Sequence, residues 1–186
     1  VKRVAAVASE IKKVVVVGGG LIGLKAAESL RELGIEITVV ELADRILSPA
    51  LDAKASRIVE KHLRKQGIEI ITNNTVSEII GPNDEVAGVI LKDGKRINCQ
   101  AAIIAIGVVP NVELVRATAI KINRGIIVDE QMQTSVVDIY AAGDVAEAPE
   151  MLSGEHRVIP IWPGAFKQGS IAGSNMAGHP EKYPGG

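Results

Sequence analysis

The regular patterning of the chain begins at residues 14–17, four consecutive valines without the alternation of a strand that has one wet face. Such a run predicts a strand buried on both sides. It passes directly into Gly18, Gly19 and Gly20, after which the apolar period becomes helical. Leu21, Leu24, Ala27 and Leu30 share one face, with Glu28, Arg31 and Glu32 on the other. Gly34 stands where helices commonly stop. Residues 35–40 predict a second strand, ending at Glu41. Strand, helix and strand in this short compass form a βαβ unit.

A helix is expected over residues 52–66, capped by Asp52 and followed by Gly67, and then a third parallel strand over 68–72. Three shorter strands follow at 75–80, 85–91 and 96–99. Their links, Gly81-Pro82-Asn83-Asp84 and Lys92-Asp93-Gly94-Lys95, carry turn chemistry, which predicts an antiparallel meander. Residues 101–106 read as another buried strand, closed by Gly107 and Pro110. Beyond Pro110 the pattern predicts a short helix at 112–118, strands at 125–128 and 139–142, and a loop at 149–158. A last helix is expected over 165–177, with Pro163 at a first helical position. The tail, 178–186, has no periodicity and reads as a chain end or the start of a linker. The expected fold class is α/β: a Rossmann-type parallel sheet with an antiparallel β-meander, followed by a partial second domain.

Composition narrows the function classes. The 186 residues are 47% hydrophobic, enough for one domain or one and a part. Twenty-one Lys and Arg against 22 Asp and Glu leave a net charge of −1, so no basic field points to nucleic acid or an anionic membrane. Aromatic residues make up 2%, which argues against base-stacking platforms. The single Cys99 excludes a disulfide framework and, without a basic partner nearby, reads as a structural thiol. No apolar run is long enough to cross a bilayer, and VKRVAAVASE has no secretory h-region. A soluble, cytoplasmic protein is expected. His62, His156 and His179 match no metal-ligand spacing.

The chemistry concentrates in two places. Gly18-x-Gly20-x-x-Gly23 follows a strand and opens a helix, with Leu21 and Ile22 at the helix start. The first glycine allows a tight turn, the second lets backbone approach a pyrophosphate, and the third lets helix and strand pack closely. Glu41 ends the next strand, where a carboxylate accepts adenosine ribose hydroxyls and repels a 2′-phosphate. NAD(H) is therefore expected over NADP, although the glycine motif alone would serve the ADP half of FAD equally well. Arg45 has two readings, a phosphate contact or a partner for Asp44. The second place is Gly143-Asp144-Val145, at the end of the strand expected over 139–142. That would put a carboxylate at a sheet edge, in reach of a polyol such as a ribityl chain, unless it is only a helix cap.

VVVVGGGLIG, VVELADRIL, AIGVVPN, GIIVDEQMQTS, IYAAGDVA and AFKQGSIAGSNMAG occur in this order. Together they resemble the pyridine nucleotide-disulfide oxidoreductase family, in its NADH oxidase, nitrite reductase and rubredoxin reductase branch. The resemblance implies an NAD domain over 13–110 and the second half of an FAD domain over 111–186, with 1–12 ending the first half. It implies that Gly107 lies near the nucleotide and that Asp144, beside Gly143, bonds the FAD ribityl or phosphate region. Val145 and Ala165 would lie near the flavin ring. Hydride would pass from NADH to FAD and on to an acceptor that the sequence does not name. Lys25 stands where family members carry Glu, so that role is not transferred. The family's own FAD βαβ unit, its redox cysteine and its dimerisation domain have no counterpart here. The resemblance therefore implies an internal portion of a longer, homodimeric enzyme, itself without FAD or turnover and without a catalytic acid or base. A stand-alone nucleotide-binding or redox-sensing module is the alternative. A Rossmann methyltransferase is a third reading, opposed by Ala105-x-Gly107-x-x-Pro110 and Ala142-Gly143-Asp144. Trp162 is expected to pack the last helix.

Overall fold

The computed structural model describes residues 11–83 and 85–186, and the chain divides at Gly107/Val108 into two compact units. Residues 1–10 of the expected leading segment lie outside the described residues.

In the first unit the expected elements form, except that the buried strand expected over 101–106 ends at Ile104 and is only partly buried, with Ile104 and Ile106 exposed. Strands β1 (Lys13–Val17), β2 (Glu36–Val40), β3 (Glu69–Ile71) and β7 (Ala101–Ile104) make a parallel sheet in the order β3-β2-β1-β7. Helix α1 (Leu21–Glu32) links β1 to β2, and α2 (Ala53–Lys65) leads to β3. The Asp52 side chain caps α2 by accepting the Ala55 N–H at 2.8 Å. The valine run explains the layering. Val14 and Val16 pack with Leu24, Ala27 and Leu63 under the helices. Val15 and Val17 face the other way, against Val89, Leu91, Ile97 and Cys99 of the meander. That meander is β4 (Val76–Ile80), β5 (Gly88–Leu91) and β6 (Arg96–Asn98), antiparallel in that order. Strand β5 begins at Gly88 rather than at residue 85; ahead of it the Ala87 N–H bonds the Ile80 carbonyl at 2.8 Å. A strand buried on both faces is thus enclosed by helices on one side and the meander on the other.

The second unit departs more from the sequence reading. The helix expected at 112–118 is a single 3₁₀ turn, Glu113–Val115, ended where the Thr118 hydroxyl bonds the Val115 carbonyl at 2.7 Å. Strand β8 is only Ile126–Ile127. Residues 139–142 are not a strand: Tyr140 makes one isolated bridge to Gln133. The strands that pair are instead β9 (Ala146–Pro149), parallel to β8, and β10 (His156–Arg157), antiparallel to β9 inside the expected loop. Helix α3 (Trp162–Met176) starts three residues early, with Pro163 in its first turn. The tail packs into this unit. The Tyr183 side chain is buried in the second core, and its N–H donates to the Glu130 carbonyl at 2.6 Å. Lys182 pairs with Glu130 at 2.7 Å, and Asn175 clasps Glu181 through both its N–H and its carbonyl.

Glu147 is the charged side chain that this small core must accommodate, 4% exposed on β9. Its carboxylate accepts the Gly125 N–H and the Asn123 amide, each at 2.9 Å. Burial alone would push the carboxyl up, but these donors, with the Arg124 N–H and the nearby His156, outweigh it and hold the group below its ordinary 4.5. A carboxylate lowered on folding contributes stability above its unfolded value and loses it as pH falls through the folded one. Thermal unfolding should therefore show the second unit weakening as pH drops from 7 through the carboxylate range. Glu147→Gln should lower stability at pH 7 and flatten that decline; an unchanged acid dependence would remove Glu147 from this account.

Candidate functional site

The carboxyl edge of the parallel sheet gathers most of the motif residues. Where β1 ends, Gly18 turns the chain with φ +109°, a left-handed value that L side chains rarely adopt. A β-carbon there would stand 2.3 Å from the Ala105 carbonyl oxygen. The turn is tied in place by the Gly18 N–H to the Val40 carbonyl (2.8 Å) and by the Leu47 N–H to the Gly19 carbonyl (2.9 Å). Gly23, in the first turn of α1, lies so close to this turn that a β-carbon would come within 2.0 Å of the Gly18 oxygen. Two of the three motif glycines are thus demanded by the chain's own packing.

Gly20 is different. It is the N-cap of α1 with extended backbone (φ −81°, ψ −177°), which any residue adopts, and a β-carbon there would meet nothing within 4 Å. Neither torsion nor packing among the described residues asks for glycine at this position. The helix above it has no side-chain cap and no acid in its own first turn. Leu21 and Ile22 are exposed beside it. An anion approaching this backbone would meet free N–H groups and no side chain at Gly20.

Glu41 flanks the loop, half-buried at the end of β2. One carboxylate oxygen accepts the Gly19 N–H at 2.5 Å and the other the Ala43 N–H at 2.7 Å. Each oxygen retains a second lone pair for a hydroxyl donor. The Arg45 guanidinium pairs with Asp44 at 2.9 Å and reaches the Ser48 carbonyl at 3.4 Å. Gly107 ends the segment after β7 with open space where a side chain would be. Lys25 is exposed and pairs with Glu28 at 2.9 Å.

In the second unit Asp144 does not end a strand. It sits exposed in a 3₁₀ turn, Gly143–Val145, because Gly143 (φ +81°) breaks the extended course of the chain. That turn is anchored by the Gly143 N–H to the buried Gln168 side chain of α3, at 2.8 Å. A β-carbon on Gly143 would touch that of Ala165, at 3.5 Å. A cavity of about 230 Å³ lies between Val108, Val109, Pro110, Asn111, Asp144 and Val145. Trp162 does not pack the last helix. It is 80% exposed and stacks on Phe166, itself 69% exposed, with ring centres 5.9 Å apart. Gln168 escaped the sequence reading, its only signal being an amide on the apolar face of α3. Gly19 escaped because its role lies in its N–H. Among the described residues no cluster of three or more His, Cys, Asp or Glu could hold a metal. Burial pushes the Cys99 thiol up, so it is neutral and inert at neutral pH.

Residues 1–169 match the family described as Pyridine nucleotide-disulphide oxidoreductase. The chain is 39% identical over 173 residues to the NADH oxidase of Methanocaldococcus jannaschii, covering 92% of this chain and 38% of that protein. It is 37% identical over 173 residues to the nitrite reductase [NAD(P)H] of Bacillus subtilis, covering 93% and 21% respectively. Among solved structures, an NAD-dependent persulfide reductase from A. fulgidus superposes with a TM-score of 0.94 at 35% identity, over 99% of this chain and 34% of that one. The chain therefore spans well under half the length of these relatives. Among the described residues no helix is long and apolar enough to cross a membrane.

The three motif glycines should separate cleanly by stability. Gly23→Ala and Gly18→Ala force a β-carbon into backbone and should each cost about 3 kcal/mol or more, whereas Gly20→Ala should stay within about 1 kcal/mol. Urea unfolding of the three variants measures this. A Gly20→Ala protein as unstable as Gly23→Ala would mean that Gly20 too serves the chain's own packing.

Proposed function

Because the chain belongs to the pyridine nucleotide-disulphide oxidoreductase family, we propose that its first unit binds NADH for hydride transfer within a longer flavoprotein oxidoreductase. The observation that carries this reading is Gly20, a glycine with ordinary torsions and empty surroundings at the uncapped start of α1. A position that the protein leaves bare for no internal reason fits the close approach of a pyrophosphate. The N–H groups of the first turn would hold the phosphates, and the free lone pairs of Glu41 would accept the adenosine ribose hydroxyls. Gly107 would leave room for the rest of the nucleotide.

The second unit would supply one side of a flavin site. Asp144 offers an exposed acceptor for a polyol, and Gly143 and Ala165 leave a close approach to the start of α3, whose first turn carries no acid. The fit is partial, since the cavity beside Asp144 (about 230 Å³) is smaller than the roughly 300–1,000 Å³ of pockets that enclose a drug-sized ligand. When bound, FAD would supply the hydride acceptor; the residues of this chain orient and hold. The electron acceptor, and a homodimeric assembly, belong to the longer protein.

Titration should show NADH binding tighter than NADPH by roughly ten- to hundredfold, the effect expected from Glu41 losing a charge-assisted bond and facing a 2′-phosphate. Gly20→Val should stay folded and lose NADH, because its branched side chain fills the space left for the pyrophosphate. A folded Gly20→Val protein with unchanged NADH affinity would end the phosphate-loop assignment. The purified chain should also be colourless and bind NADH without oxidising it. One side of a site forfeits most flavin contacts while still bearing an association cost of about 4–15 kcal/mol. Flavin absorbance with NADH turnover would refute this.

A further inference from the structure

The Glu41 carboxylate spends its two shortest contacts on the protein itself. Its Oε2 accepts the N–H of Gly19, in the middle of the glycine loop, at 2.5 Å, and its Oε1 accepts the Ala43 N–H at 2.7 Å. Its own backbone is fixed independently: the Glu41 N–H donates to the Ile71 carbonyl at 2.8 Å, and its carbonyl accepts the Asn74 N–H at 3.1 Å. The carboxylate therefore extends from a rigid strand end and grips a loop that has no side chains of its own. Space on that side is tight, since a β-carbon on Gly19 would lie 3.1 Å from the same oxygen and 2.9 Å from Ile46. We propose that Glu41 is a positioning residue for the phosphate loop as well as a ribose acceptor, so that the adenosine-side carboxylate also sets the affinity of the pyrophosphate subsite. This rests on the nucleotide reading above and deepens it.

The two roles predict opposite signs for one measurement. If Glu41 served only the ribose, removing its negative charge would leave the binding of a ribose-free anion unchanged or tighten it. If it also holds the loop, the same removal loosens the Gly19–Gly20 backbone and weakens that anion. A consequence for specificity follows. Glu41→Ala does not gain NADPH affinity by relieving repulsion alone, because the loop that grips both nucleotides is loosened at the same time.

The test uses the full chain as wild type, Glu41→Ala and Glu41→Gln. It combines amide hydrogen exchange without ligand with titration of inorganic pyrophosphate, NADH and NADPH. In Glu41→Ala the Gly19 amide should exchange about tenfold faster or more, while the amides of Val39 and Leu63 report an intact fold. Pyrophosphate and both nucleotides should weaken together. Glu41→Gln, keeping one acceptor oxygen, should fall between the other two in both readouts. Unchanged Gly19 exchange, or pyrophosphate affinity equal to or above wild type in Glu41→Ala, would overturn the proposal. A wild-type protein that binds neither NADH nor pyrophosphate would sink the nucleotide reading instead, and the exchange measurement would still decide whether Glu41 holds the loop.

Discussion

The candidate site depends on how closely two stretches of backbone approach one another. Helix α1 starts against the turn that ends β1, with the α-carbon of Gly23 pressed on the carbonyl of Gly18 and Gly18 itself pressed on Ala105. Only hydrogen atoms fit at these contacts. Everything else at the sheet edge follows from them: the helix axis points its positive end at the edge, the loop runs over it as bare backbone, and Glu41 on the adjacent strand arrives within hydrogen-bond reach of Gly19. The enclosure of β1 between helices and meander makes this geometry stiff, since its valines pack into separate cores on its two faces.

The first unit was legible in the sequence for the same reason. A two-face-buried strand must be apolar without alternation, a helix on its surface must alternate with a period of 3.6, and the close contact between them admits only glycine. Each physical demand leaves a mark on residue type, so the βαβ unit, the capped second helix and the meander could all be read. The candidate site was legible to the extent that it is made of side-chain absences and one carboxylate. What could not be read was Glu41 serving the loop, because an accepted backbone N–H leaves no trace in the identity of Gly19.

The second unit was less legible because its order comes from side chains bonding to distant backbone rather than from periodic packing. Strand β9 reads Ala-Glu-Ala-Pro, poor material for a strand, yet it is central because buried Glu147 satisfies Gly125 and Asn123 across it. Segment 139–142 carries the apolar residues of a strand but finds only one bridging partner. The tail looked unstructured for want of period, whereas Tyr183 anchors it by burial, a single event that periodicity does not register.

The placement of Trp162 gives this chain an optical property. It is the protein's sole tryptophan, and it stands largely in water with Phe166 stacked on it. Indole emission shifts to the red in a polar surrounding, so the tryptophan fluorescence of the chain reports from one spot, the start of α3. Any molecule that settles over the aromatic pair would shift that signal to the blue. The same chain thus carries an indicator confined to its second unit, while the glycine loop of the first remains spectroscopically silent.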